Sequence, residues 1–310
     1  MKEFLFLNKI VTTLSNPQYL GDDCAYLEEL GIVVTQDTLV EDVHFSREYT
    51  NAYKLGYKSV IVNLSDIYAS GATPKYISIS LSLPKDTPVE FVEDFYRAVN
   101  ELALKHGFEV IGGDITGGEK ISVSICALGD AKDKNISSRK NAKAGDIVIV
   151  TGEHGSSACG LYLLQNGIKN ESLTTEHLTP RLSVEFASEI SKTTAPYAMM
   201  DSSDGLADAL FKIAETSNVT ICAEFEKIPY NSQILKYTDN PQNYILFGGE
   251  DYKLVATVNP KILKTINPSS YTIIGEVVEK QDAPLKIKFK DSTLNIKDLE
   301  NTFNHFEENK

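Results

Sequence analysis

The sequence predicts a mixed α/β fold divided into two domains. Segments with strand-like apolar patterns alternate along the chain with segments whose apolar residues recur at helical spacing. At 310 residues, 42% of them hydrophobic, the chain can build two cores of ordinary size. A polar stretch at 129–141 lacks apolar periodicity, so we place the boundary there, with an N-terminal α/β domain over 1–135 and a C-terminal α/β domain over 136–310.

In the first half, the clearest strand is 76–83, where Ile and Leu alternate with Ser and give one apolar and one small polar face. The clearest helix is 51–70, which Gly71 and Pro74 end. We expect a paired-glycine turn, Gly112-Gly113-Asp114, after a further strand. The predicted strands are 31–35, 76–83, 108–111 and 121–128, and the predicted helices are 51–70 and 89–106.

In the second half, a Gly- and Ser-rich turn at 152–157 follows a strand and opens a helix. The segment 286–290 alternates Lys with apolar residues, as an edge strand does. The predicted strands are 147–151, 219–223, 254–258, 271–278 and 286–290, and the predicted helices are 180–191, 205–217 and 296–306.

The composition restricts the function. A formal net charge of -13 and a pI near 4.9 argue against broad nucleic-acid binding, which depends on clustered Lys and Arg. The four cysteines form no C-x-x-C pair, so we expect free thiols in a reducing compartment. Because no run of about 18 apolar residues occurs and the first ten residues do not resemble a signal peptide, we expect a cytoplasmic protein with no membrane partner.

Five short acidic segments lie directly after or inside apolar stretches. Two carboxylates about 4 Å apart repel by roughly 4 kcal/mol at an effective dielectric near 20, so gathering several in one cleft requires cations between them. Mg²⁺ prefers oxygen ligands and commonly takes substrate phosphates as well. The P-loop and dinucleotide motifs are absent, so a phosphate site here has another geometry. The segments are Gly21-Asp22-Asp23, Asn63-Leu64-Ser65-Asp66, Gly112-Gly113-Asp114, Asp201-Ser202-Ser203-Asp204-Gly205 and Gly248-Gly249-Glu250-Asp251.

These acids also have purely structural interpretations. Asp37, at the end of a strand, could cap the next segment, and Gly112-Gly113-Asp114 could be an ordinary turn. Ser202, Ser203 or Asp204 could be the N-cap of the helix that follows. Asp66 is harder to explain in this way, because a carboxylate within a largely apolar helix needs a partner or a metal ion.

Three further residues have two interpretations each. His44 is either a packed or surface histidine or a functional group seven residues after Asp37. Arg139 is either a solvated charge or a clamp on a nucleotide. Tyr96, on the helix 89–106, belongs either to the core or to a site where it stacks on a base.

Taken in this order, the segments resemble those of the thiamine-monophosphate kinase family, within the aminoimidazole-ribonucleotide-synthetase-like superfamily. The resemblance spans about residues 20 to 255, and its specificity comes from the ordered set rather than from any one motif. The matching segments are 21–25, 37–45, 62–67 with 69–74, 111–114, Arg139 with Ala142 and Gly145-Asp146, 201–206 and 248–254.

The resemblance implies the two-domain α/β fold of that superfamily and an ATP-dependent transfer of a phosphoryl group onto thiamine monophosphate, with several Mg²⁺ ions. Direct in-line transfer is our hypothesis, because phosphoryl transfer needs positioning and charge neutralisation more than covalent chemistry. By resemblance, the Mg²⁺ ligands are Asp23, Thr35, Gln36, Asp37, Asp66, Asp114, Asp201 and Asp204. The ATP contacts are Tyr96, Gly113, Asp114, Arg139 and Ser203, the substrate contacts are His44, Glu250 and Phe303, and the catalytic candidates are Asp66, Asp114 and Asp204.

The resemblance also implies a homodimer in which the N-terminal sheets pair, and the strand at 76–83 is a candidate contributor to that pairing. Two alternatives stay open. One is another ATP-using member of the superfamily, similar to aminoimidazole-ribonucleotide synthetase or selenophosphate synthetase. The other is a non-catalytic sensor of nucleotides or divalent cations, which would bind ATP without forming ADP.

Overall fold

The computed structural model describes residues 2–299, which form eight α-helices and twelve β-strands in two sheets. The mixed α/β class is therefore confirmed. The helices are α1 (Lys2–Thr13), α2 (Ala52–Ser70), α3 (Val89–His106), α4 (Ser156–Gln165), α5 (Glu171–Leu178), α6 (Val184–Ile190), α7 (Leu206–Thr216) and α8 (Pro241–Phe247). The strands are β1 (Ala25–Leu27), β2 (Ile32–Val40), β3 (Thr73–Leu83), β4 (Glu109–Gly117), β5 (Ser122–Asp130), β6 (Ile147–Val150), β7 (Ala198–Asp201), β8 (Thr220–Glu224), β9 (Leu254–Val258), β10 (Thr272–Val278), β11 (Leu285–Lys288) and β12 (Thr293–Ile296).

The first sheet has the strand order β1-β2-β5-β3-β4, and only β3 and β4 run parallel. Their connection is the helix α3, because a parallel pair needs a crossover of this length. The alternation predicted for 76–83 is confirmed, since Ile77, Ile79 and Leu81 are all buried. However, β3 lies between β5 and β4, so both of its edges are occupied and it is not the strand that could pair with a second chain. The free edge of this sheet on that side is β4.

The expected turn at Gly112-Gly113-Asp114 is also wrong, because β4 continues through all three residues. Gly113 lies directly opposite Ile79 of β3, and a Cβ atom at position 113 would be 1.8 Å from the Ile79 carbonyl oxygen. The glycine is therefore needed for close strand contact rather than for a turn.

The second sheet has seven strands in the order β12-β11-β8-β10-β6-β9-β7. The predicted strand near 286–290 is present as β11, but it lies between β8 and β12, so its assignment as an edge is wrong. The helix predicted at 296–306 begins at Ile296, which ends β12, and most of its length falls outside the described residues.

The helix α2 connects the two halves of the molecule. The Asn51 side chain caps its N-terminus by accepting a hydrogen bond from the Lys54 amide, and Gly71 ends it in the left-handed conformation. α2 packs against α3, β2 and β5 on one side, and against β7 and α6 of the second half. One hydrophobic core includes Leu64 of α2 together with Phe186 and Met199. The helix is therefore buried nearly all round, and polar residues on it stand out.

Along the sequence, the strands of the first sheet precede residues 131–146 and those of the second sheet follow them. Residues 131–146 contain no strand. The domain boundary at 135 stays a prediction, because the core around α2 includes residues from both halves. Between residues 2 and 299, no helix has the length and apolar character needed to cross a membrane.

Candidate active site

Three carboxylates from distant parts of the sequence converge in the structure. Asp23 precedes β1, Asp66 lies on α2, and Asp201 ends β7. One carboxylate oxygen from each lies within 4.8 Å of the others. Ser65, next to Asp66, donates a hydrogen bond of 2.5 Å to Asp201 and so connects α2 to β7. We call these three residues the acid cluster.

Two more predicted residues, both on β2, lie beside the acid cluster. The Thr35 hydroxyl donates a hydrogen bond of 2.5 Å to Asp66 Oδ2, and the Asp37 amide donates to the Asn63 side chain of α2 at 3.1 Å. Because successive strand residues point to opposite faces, Gln36 between them is directed away and is exposed. The Gln36 side chain therefore lies on the other face of the sheet from Thr35 and Asp37.

The carboxylates of this centre are difficult to ionise. Burial, with the negative charges of Asp201 and Asp204 nearby, raises the pKa of Asp37 to about 6. Burial also raises the pKa of Asp23 to about 7, although Arg139 opposes the shift. The pKa values of Asp66 and Asp201 are raised by burial as well. Several buried carboxylates with raised pKa values indicate negative charge that the protein alone does not neutralise.

A loop after β7 brings Ser203 and Asp204 to the edge of the acid cluster. The Ser203 hydroxyl donates a hydrogen bond of 2.8 Å to Asp201 Oδ1. Lys212 of α7 contacts Asp204 Oδ2 at 3.0 Å and the buried Asp208 Oδ2 at 2.7 Å. Asp204 is thus more exposed than the acids of the acid cluster, and it pairs with one cation of the protein, Lys212.

Arg139 lies in the connection between the two sheets and contacts the acid cluster directly. Its guanidinium lies 2.5 Å from Asp23 Oδ1, while its backbone amide donates to Asp22 Oδ1 at 2.7 Å. Its Nε is buried and has no hydrogen-bond partner among the residues the structure describes. A buried donor of this kind is normally satisfied, so its environment suits an anionic ligand.

Glu250 lies in a second group of polar residues, with Lys58 of α2 and His177 of α5. Lys58 Nζ is 3.0 Å from Glu250 Oε1, and His177 Nδ1 is 3.4 Å from Glu250 Oε2. We call these three residues the lysine cluster. The His44 ring accepts a hydrogen bond from the Val40 amide at 3.0 Å, which fixes the ring beside β2.

Several predicted site residues do not join the acid cluster within one chain. Gly113 and Asp114 lie on β4, all of whose residues are exposed. Asp114 faces the same side of the sheet as Ser80 and Thr38, opposite to Asp37. Three strand spacings, about 14 Å, separate β4 from β2. Tyr96 is half-buried on α3 against the Phe95 ring, and Phe303 falls outside the described residues.

Other residues at these sites went unrecognised from the sequence. Lys58 carried a usable signal, because a lysine among the apolar residues of a buried helix needs a partner. Asp208 and Lys212 are four residues apart on α7, a spacing that predicts an ion pair on a helix. His177 gave no comparable signal, since its partners are far away in sequence.

Comparison with known proteins identifies the family. Residues 21–131 match the N-terminal domain of AIR synthase related protein, and residues 143–288 match its C-terminal domain. The thiamine-monophosphate kinase of Bacillus subtilis (strain 168) is 35% identical over 306 residues, covering 93% of both chains. The enzyme of that name from Aquifex aeolicus (strain VF5) is 38% identical over 290 residues, covering 89% of this chain and 92% of the relative.

A solved structure, AaThiL complexed with AMPPCP and TMP, superimposes with a TM-score of 0.84 at 34% identity and covers 94% of this chain and 95% of that chain. The matched domains and the shared two-sheet fold place the chain in the AIR synthase related family. Within that family, it belongs to the thiamine-monophosphate kinases.

Proposed function

We propose that this protein transfers the γ-phosphoryl group of ATP to the phosphate of thiamine monophosphate, giving thiamine diphosphate and ADP. The observation that carries the proposal is the convergence of Asp23, Asp66 and Asp201, with Asp37 beside them, in one buried centre. Donor and acceptor are both anions, so the reaction needs a site that gathers cations. The family relatives and the solved complex with AMPPCP and TMP support the same substrates.

The acid cluster and its neighbours fit a group of Mg²⁺ ions, because they combine several buried carboxylates with few fixed cations. The residues that would hold the ions are Asp23, Thr35, Asp37, Asp66, Asp201 and Asp204. When bound, the ions would neutralise the transferring phosphoryl group. Gln36 would contribute only through its backbone carbonyl, since its side chain lies on the opposite face of β2.

The chain's own residues orient the reactants around that centre. The buried Nε of Arg139, which bonds to no residue among 2–299, would donate to a phosphate oxygen of ATP. The Ser203 hydroxyl is held by its hydrogen bond to Asp201, and Ser203 would contact ATP. By the family resemblance, His44 and Glu250 would contact thiamine monophosphate.

Direct in-line transfer predicts inversion at a chirally labelled γ-phosphorus. The residues around the acid cluster are carboxylates with raised pKa values, and we assign none of them as a covalent carrier. Retention of configuration would instead indicate a phosphoenzyme intermediate and would overturn this part of the proposal.

We also propose a homodimer that forms through β4. This edge strand exposes Val110 (42%), Ile111 (57%) and Ile115 (63%), an unusual apolar content for a free edge. Asp114 lies on the same strand, too far from its own acid cluster to share a metal ion with it. A second chain would cover these apolar side chains, and by the family resemblance Asp114, with Gly113 and Tyr96, would contribute to a site completed between the two chains rather than to its own acid cluster.

Mixed dimers test this arrangement. Differently tagged Asp66→Asn and Asp114→Asn chains are co-expressed, and the dimers carrying both tags are purified. If each site takes Asp66 from one chain and Asp114 from the other, one site per mixed dimer is intact, and about half of the wild-type activity returns. Inactive mixed dimers, or a monomer in sedimentation at micromolar concentration, would contradict the proposal.

The activity itself is tested by ADP release in the presence of Mg²⁺. We expect ADP and thiamine diphosphate with thiamine monophosphate, and no turnover with thiamine or with aminoimidazole precursors. Turnover of the precursors alone would favour a sister enzyme, while ATP binding without ADP formation would favour a sensor. The cytoplasmic location stays a prediction.

A further inference from the structure

The lysine cluster contains a buried cation that the proposed chemistry does not use. Lys58 is only 3% exposed and lies on α2 among apolar residues. Its ammonium contacts Glu250 Oε1 at 3.0 Å and His177 Nε2 at 3.5 Å. Burying a lysine is costly unless its charge is paired and its hydrogens are bonded. The position of Lys58 therefore depends on Glu250 and His177.

His177 completes the cluster in a defined protonation state. The Lys58 ammonium can only donate, so His177 Nε2 accepts and the ring proton lies on Nδ1. His177 Nδ1, which carries this proton, lies 3.4 Å from Glu250 Oε2 and 3.1 Å from the Ser157 hydroxyl. Burial, with Lys58 beside it, lowers the pKa of His177 to about 3, which keeps the ring neutral. Both oxygens of Glu250 consequently face a donor from inside the protein.

The backbone at Glu250 is fixed as firmly as its side chain. Glu250 has a φ of 64°, a left-handed conformation that non-glycine residues rarely adopt. Its amide donates a hydrogen bond of 2.7 Å to the Ser203 carbonyl, and a Cβ atom at Gly249 would lie 2.7 Å from the same oxygen. The surrounding contacts maintain this conformation, as is common at functional sites.

Glu250 is nevertheless accessible, since 25% of its side chain is exposed. An ionised carboxylate that is held from behind and open in front can bind a cation. Thiamine monophosphate carries a positively charged ring at a distance from its phosphate, whereas ATP carries no such ring. The lysine cluster therefore suits the acceptor rather than the nucleotide.

We infer that Lys58 and His177 are positioning residues, which hold the Glu250 carboxylate ionised and oriented to bind the cationic ring of the acceptor. The inference rests on the proposed function, because it takes thiamine monophosphate as the acceptor. Lys58 and His177 act through Glu250 and do not themselves contact the reacting phosphates.

Steady-state kinetics of Lys58→Met test the inference, with Lys54→Met on the same helix as a matched control. In Lys58→Met we expect KM for thiamine monophosphate to rise about tenfold or more, with KM for ATP unchanged. Lys58→Arg should recover part of the loss, because it retains the charge. An unchanged KM for thiamine monophosphate, or an equal rise in both KM values, would overturn the inference.

A pair of double variants separates positioning from general destabilisation. If Lys58 acts through Glu250, adding Lys58→Met to Glu250→Gln should raise KM for thiamine monophosphate no further. The neutral pair also removes the unpaired charge, so this comparison holds even if Lys58→Met alone does not fold. A further rise of about tenfold would contradict the inference. Wild-type protein that forms no ADP with thiamine monophosphate would refute the proposed function instead.

Discussion

The acid cluster and the lysine cluster both depend on α2, yet they handle buried charge in opposite ways. Around Asp66, carboxylates gather with few cations, and their pKa values are raised. Around Lys58, each charged or polar group has a partner within about hydrogen-bond distance. Burial alone would raise the pKa of Glu250, but Lys58 lowers it below its usual value.

This difference distinguishes a site that needs added ions from a site that is complete in itself. Carboxylates that repel each other in the folded chain cost stability, which bound cations recover. A carboxylate paired with a buried lysine needs no ion and is already oriented for a ligand. The acid cluster thus suits the phosphates and their metal ions, while the lysine cluster suits the organic part of a substrate.

The largest expected effect is the loss of activity in Asp66→Asn. Turnover should fall by about a hundredfold or more, because a group that stabilises the transferring phosphate is lost. Without divalent cations, the same change should leave the protein as stable as the wild type or more stable, since it removes a repelling charge. ADP release and urea unfolding in EDTA measure the two effects.

Lys58→Met should have the opposite effect on stability. Removing one partner of a buried pair costs about 3 kcal/mol, because it leaves the other charge uncompensated. Asp239→Asn, at an exposed acid that belongs to neither cluster, serves as the control for Asp66→Asn. If Asp66→Asn retained activity, or if both variants lost stability equally, the distinction between the two clusters would be wrong.

A smaller effect is expected from Mg²⁺ in thermal unfolding. Ligands that bind only the folded state stabilise it, so millimolar Mg²⁺ should raise the Tm of the wild type. Asp201→Asn should reduce that rise, and Lys58→Met should show the full rise from a lower starting Tm. Differential scanning fluorimetry with and without EDTA measures these shifts. A Mg²⁺ effect that Lys58→Met abolishes and Asp201→Asn retains would reverse our assignment.

The smallest effect is a difference in pH dependence between the clusters. Asp37, with its pKa raised to about 6, binds more protons folded than unfolded between about pH 4 and 6, so its contribution to stability decreases as pH rises. His177, with its pKa lowered to about 3, behaves oppositely, and its contribution increases as pH rises from about 3 to 6.5.

Urea unfolding at pH 4.5, 5.5 and 6.5 in EDTA therefore separates the two clusters. Asp37→Asn should make stability increase more steeply with pH, and His177→Gln should make the increase shallower. Each slope should change by at most about 1.4 kcal/mol per pH unit. Equal slopes in both variants would show that these groups do not titrate differently in the folded and unfolded states.

Local patterns predicted much of this fold, because they depend on residues close in sequence. The bounds of α3 and β9 agree with the predicted 89–106 and 254–258, and α2 begins one residue after the expected start. The strand order could not be predicted, since it depends on contacts between distant segments. This is why β11 was wrongly expected at an edge, and why β3 was a candidate for pairing with a second chain. The glycines at 112 and 113 suggested a turn, although close strand packing is what requires glycine at 113.

The acids of the candidate site could be predicted from their segments, but their grouping could not. No local sequence pattern shows that Asp23, Asp66 and Asp201 meet. The family resemblance assigns them to one site, and in the structure their carboxylate oxygens lie within 4.8 Å of one another. The same resemblance could not show that Asp114 lies on the outer face of an exposed strand. His177 was missed because its meaning arises only from Lys58 and Glu250.

The rigid helix α2 has a consequence for which molecules this protein can accept. Lys58 and Asp66 are eight residues apart on it, which corresponds to about 12 Å along the axis. Because α2 is capped at both ends and packed against both halves of the molecule, the distance between Lys58 and Asp66 is fixed. An acceptor whose charged ring and phosphate are too close together or too far apart would therefore be unable to contact the lysine cluster and the acid cluster at the same time.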